Sequence, residues 1–153
     1  MPASLFLEEA FLEYALKKVT PGAITKCYLG LSTAAPEKKW TGTEFEAKEP
    51  TTGNGWARIE ISGTEKPGWE IATKAEGATG FTIFKNKNEM KTGAEAFEFK
   101  KLTAGEYKLE YWGFLDAVTA GHVLLFGKLG TALTINSASE LKAAAKELIL
   151  ECE

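Results

Sequence analysis

The chain has 153 residues, 44% of them hydrophobic, with 18 basic and 21 acidic side chains and a formal charge of -3. That length suits one domain, residues 1–153, burying roughly two-thirds of its unfolded surface, and no apolar run reaches the roughly 20 residues of a membrane-spanning helix. Glu8, Glu9 and Glu13 stand where a secretory leader carries basic residues, so the sequence reads as a soluble, unprocessed protein.

The first predicted element is a helix over residues 4–19. Ser4 is placed to cap it, Glu8 and Glu9 lie near its start, and Lys17 and Lys18 lie at its end, where they complement the helix dipole. Thr20-Pro21-Gly22 stops it. At about 100° per residue, Leu5, Leu12, Leu16 and Val19 form one stripe, while Phe6, Leu7, Ala10, Phe11 and Tyr14 form a second, broader one. A terminal helix that is apolar on two sides has one face for its own domain and one for a neighbour. Residues 1–20 are therefore read as an attachment segment, with Leu5, Phe6, Leu7, Phe11, Leu12, Tyr14 and Leu16 as its interface residues. A helix sunk in its own core is the alternative.

After Pro21 the apolar period switches from 3.6 to 2. Cys27, Leu29 and Leu31 alternate with polar or small neighbours, as do Ala57, Ile59 and Ile61, Phe81 and Ile83, Phe97 and Phe99, and Tyr107, Leu109 and Tyr111. Turn signals separate them at Thr41-Gly42, Thr52-Gly53-Asn54-Gly55, Pro67-Gly68, Thr92-Gly93 and Ala104-Gly105. Residues 132–136 add a further strand. The expected fold is mainly β: an antiparallel β-sandwich or jelly-roll-like domain over 23–153, with one N-terminal α-helix. Cys27 and Cys152 read as reduced thiols that neighbouring terminal strands could bring together.

Three segments carry a resemblance. They are Tyr28-Leu29-Gly30-Leu31-Ser32-Thr33-Ala34-Ala35-Pro36, then Gly53-Asn54-Gly55-Trp56-Ala57-Arg58, then Tyr111-Trp112-Gly113-Phe114-Leu115-Asp116-Ala117 running on through Gly121-His122-Val123-Leu124-Leu125-Phe126-Gly127. In order and spacing they resemble a family of small tailed-bacteriophage virion structural proteins, often labelled phage tail fibre proteins. The stretch from about 65 to 106 matches nothing in that pattern. The resemblance implies a non-enzymatic role and a place in the virion. It also implies two short strands near the end, where Ala, Glu, Lys and Leu over 139–150 instead favour helix. Strand is expected from Lys146, and 139–145 stays open because alanines replace the usual turn residues.

The residue inventory excludes much chemistry. Asp116, Arg58 and His122 are the only aspartate, arginine and histidine. A Ser-His-Asp triad would consume both acid and base, no Gly-x-Ser-x-Gly elbow is present, and neither a zinc set nor a calcium loop can be assembled. No phosphate-cradling glycine loop appears. No catalytic, cofactor or metal residue is expected. With 20 glutamates, any glycosidase-like pair is uninformative. The 17 lysines are scattered among glutamates, which disfavours nucleic acid. The densest basic stretch, Lys85 to Lys91 with Lys100 and Lys101, reads as a solvated loop and strand edge.

Two function classes remain. The first is a structural virion module, an oligomer and expectedly a trimer, acting as a capsid decoration or cement protein bound to itself and to the major capsid protein or other virion proteins. The second is a small tail-fibre or tail-tip module recognising a host surface glycan, with Trp40 and Trp69 as ligand contacts. Trp56 and Trp112 read as packing residues. Neither class calls for a cofactor, a nucleic acid or a membrane.

Overall fold

The computed structural model describes residues 3–17, 24–61, 69–72, 88–92, 97–143 and 149–152. Helix α1 spans Leu5–Leu12, and the chain continues as a π turn over Glu13–Lys17. Strand β1 is Tyr28–Ser32, followed by a short helix α2, Gly42–Glu46, a 3-10 turn, Thr52–Asn54, and β2, Ile59–Glu60. Then come β3, Trp69–Ala72; β4, Asn88–Thr92; β5, Phe97–Glu98; β6, Glu106–Leu115; β7, Val123–Asn136; β8, Lys142–Ala143; and β9, Ile149–Cys152. The protein is mainly β, as the switch of period predicts.

The main sheet is antiparallel, in the order β2-β1-β6-β7, and smaller sheets run β3-β4-β9 and β5-β8. Both faces of the main sheet are covered. Leu29, Leu31, Leu109, Phe114 and Ile135 join Trp56, Ile61, Phe99 and Leu102 in the larger cluster. Leu115, Val123 and Phe126 join Phe45 of α2 in the smaller one, with Trp40 against it.

Glycines in the quoted segments make this second layer possible. Gly30 of β1 pairs with Gly113 of β6, so two neighbouring strands leave a shallow site, with Phe126 of β7 opposite Gly113. The Phe45 ring lies in it: a Cβ on Gly113 would stand 2.6 Å from that ring, and one on Gly30 2.9 Å. Gly127, across from Trp112, gives room in the same way, since a Cβ there would sit 2.8 Å from the indole. Such separations are far inside ordinary carbon contact, so any larger residue would displace the aromatic.

The β6–β7 hairpin is interrupted. Leu109 faces Leu133 and Tyr111 faces Lys128, so Leu129 to Ala132 stand opposite Glu110 alone. This irregularity interrupts the pairing, and it explains why 132–136 reads in the sequence as a strand of its own.

Several expectations change. The α-helix ends at Leu12, and the turn that follows has π rather than α spacing, while Lys18 and Val19 lie outside the described residues. Thr41-Gly42, read as a turn, is the start of α2, where Thr41 and Glu44 form a complete capping box. Lys91 is not on an edge: β4 is the middle strand of its sheet. Phe81 and Ile83 fall outside the described residues, as do 144–148. Residues 142–143 and 149–152 are strand, on the side of the resemblance rather than of local propensity. Cys27 precedes β1 of the main sheet, whereas Cys152 ends β9 beside β4. Burial pushes the half-buried Cys27 thiol up to about 11.

Candidate functional site

Helix α1 is fastened at its root. Ser4 is buried, its hydroxyl accepts from the Leu7 amide, and its own amide donates to the Leu124 carbonyl of β7 at 3.0 Å. Ala3 bridges Leu125, and the Leu5 amide donates to the Lys38 carbonyl at 2.9 Å. Lys38 also pairs with Glu8 at 2.6 Å, and the Phe6 ring stacks on His122 with centroids 4.0 Å apart and planes within 7°. Past Ala10 the apolar side chains stand in solvent. No residue of α1 or of the π turn is buried; Phe11 is 67% exposed, Leu12 54%, Tyr14 56% and Leu16 79%. Phe6, Ala10, Leu12 and Leu16 line a shallow groove flanked by Glu9, Glu13 and Lys17.

Of the seven predicted interface residues, Leu5, Phe6, Phe11, Leu12, Tyr14 and Leu16 are exposed and Leu7 is half-buried. Leaving such side chains in water forgoes roughly 1.5–3 kcal/mol apiece relative to full burial. A helix this short is also marginal by itself in water.

Beside the root lies a loop, residues 116–122, that is tied from every side. The Asp116 carboxylate accepts from the His122 amide at 2.7 Å and bonds its Nδ1 at 2.8 Å. The Arg58 guanidinium donates from Nη1 to the carbonyls of Ala117 and Ala120 and from Nη2 to that of Gly42, each at 3.0 Å. Glu46 accepts from the Ala120 amide at 2.7 Å. Ala120 takes a φ of 46°, a left-handed conformation costing an alanine roughly 1–2 kcal/mol, and these bonds hold it there.

Arg58 is buried, and Glu49 is its counterion, with Nε to Oε2 at 2.8 Å. The Trp56 indole donates to the other Glu49 oxygen at 3.3 Å, and Arg58 lies over the Phe45 ring, 5.9 Å from its centroid. Burial pushes the Glu49 carboxyl up, against the pull of the Arg58 charge. The sole arginine thus belongs to a structural network. Asp116 and His122, the pair considered for a triad, are spent on one another and on the loop. Sequence reasoning missed this network because nothing in residue spacing brings Glu49, Arg58 and Ala120 together.

The predicted ligand contacts divide. Trp40 is half-buried against the Phe45 cluster, with its amide bonded to the Glu37 carbonyl. Trp69 begins β3, opposite Thr92, in a different sheet. Trp56 is buried and stacks on Phe99 at 4.9 Å, and Trp112 packs at 5.1 Å against Phe114. Among the described residues, no cluster of three His, Cys, Asp or Glu side chains is placed to hold a metal ion. No described helix is long and apolar enough to cross a membrane.

The molecule is a glycine-fitted β body that carries an apolar helix into solvent. The model of the family described as Podophage GP4 fiber I protein gp80 matches residues 2–151, and the chain belongs to that family. It is therefore a structural protein of the phage virion, and membership in a fibre family suggests a non-enzymatic role. No curated protein matches the chain.

Proposed function

We propose that the protein is a self-associating structural subunit of the virion, joined to its neighbours through α1. The observation that carries this is the exposure of Phe11, Leu12, Tyr14 and Leu16 on α1 and the π turn that continues it, neither of which has a buried residue. The word fibre in the family's description supports a fibre component over a capsid decoration, the second reading, which rests on the same helix. A trimer suits a fibre axis and a capsid three-fold site alike, and gives three copies of α1 a common place to bury their stripes. The partners are further copies of the chain and other virion proteins. The half-buried packing of Trp40 gives a host-glycan role little support.

In this reading the chain is one domain, with 1–20 as attachment segment and 23–153 as a β-sandwich or jelly-roll body, a layering supported by the two covered faces of the main sheet. The experiment is sedimentation equilibrium of the wild type and of Phe11→Ser/Leu16→Ser, together with incorporation of each into particles. Assembly and incorporation should be lost in the variant while the β body stays folded. Normal assembly of the variant would move the attachment surface elsewhere.

A further inference from the structure

We infer that Arg58 is the positioning residue for α1, acting through the 116–122 loop, which is the helix's dock. The assembly consequence rests on α1 being the attachment element; the positioning itself does not.

The chain of contacts is short. Arg58 Nη1 holds the Ala117 and Ala120 carbonyls, and Glu46 holds the Ala120 amide. Gly42 donates its amide to the Gly121 carbonyl at 2.9 Å, and Thr41 bridges His122. These ties fix the backbone just before His122, and Asp116 fixes its ring. The ring in turn is the surface on which Phe6, in the first turn of α1, stacks. The other root contacts, from Ala3, Ser4 and Leu5, are backbone bonds at the very start of the helix. Farther along, Phe6 meets His122 and Glu8 meets Lys38, and the Glu8–Lys38 pair is exposed and correspondingly weak. Lysine cannot replace arginine here, because a single ammonium cannot reach Glu49 and three carbonyls in a planar fork.

His122 is the only histidine, so its ring protons give an isolated signal in a spectrum of the full chain. Phe6→Leu removes the stacked ring without touching the loop, and defines the unstacked chemical shift. Wild type should lie upfield of it. In Arg58→Lys the upfield displacement should be lost, and the Ala120 and His122 amides should exchange at least about tenfold faster, since bonds to a charged donor are removed. Should Arg58→Lys not fold, Gly42→Ala carries the test. Its Cβ would overlap the Ala120 carbonyl and push the loop while leaving the Arg58–Glu49 pair in place. A folded Arg58→Lys or Gly42→Ala that keeps the wild-type His122 shift overturns the inference. Because that readout is local, it decides the point even if Phe11→Ser/Leu16→Ser still assembles.

Discussion

The α1 region and the Arg58 region lie side by side and are built in opposite ways. Around Arg58, charges are buried and paired, main-chain groups are met by side chains, and a left-handed alanine is held in place. Along α1, large apolar groups face water and, past Glu8, the hydrogen bonds and ion pairs among the described residues are the helix's own and a Glu13–Lys17 pair of exposed side chains. One region is complete within the chain, and the other, on the function proposed above, is completed by a partner. A buried charged network confers position more than stability. An exposed apolar helix confers neither until something covers it.

The strongest way to break the comparison is to spoil the complete region. Arg58→Met leaves Glu49 buried without its counterion, and urea unfolding should show a loss of about 3–5 kcal/mol. A loss as small as that of a surface substitution would mean that the network is not under load. Next comes the row of glycines under α2. Gly113→Ala should destabilise by about 1–3 kcal/mol, because its methyl group meets the Phe45 ring, whereas Gly53→Ala, with open space around it, should cost little. Equal effects at the two positions would refute the fit described for Phe45.

Two glutamates near α2 give a smaller effect with opposite signs. Glu44 is held below its ordinary value of 4.5 by the Thr41 amide and hydroxyl, so its contribution is present above 4.5 and is lost as pH falls through the lowered folded value. Burial raises Glu49, so its contribution is full below 4.5 and is lost as pH rises through the raised folded value. Acid-range stability curves should therefore show the gap between wild type and Glu44→Gln shrinking toward low pH. The wild type should gain on Glu49→Gln over the same descent. Parallel curves for the two variants would contradict the assignment.

The sequence made some of this legible and hid the rest for physical reasons. Ser4 as cap and strands β1 and β6 follow from local spacing, and each is found, whereas the helix face expected to pack on its own domain has no buried residue and Phe81 and Ile83 lie outside the described residues. Helix α2 was legible too, in the Thr41-x-x-Glu44 capping pattern, but Gly42 made it look like a turn. Gly30, Gly113 and Gly127 could be read only as part of a pattern, since the aromatics they admit come from elsewhere in the chain or across a strand pair. The Arg58 network was out of reach because its partners are carbonyls, which carry no sequence identity.

Hydrogen exchange compared between the dilute subunit and the assembled particle tests the central claim most directly. The amides of Ala120 and His122 should be protected in both states, whereas those from Ala10 to Lys17 should exchange rapidly in the dilute subunit and become protected on assembly. Equal protection of the helix in both states would contradict the account.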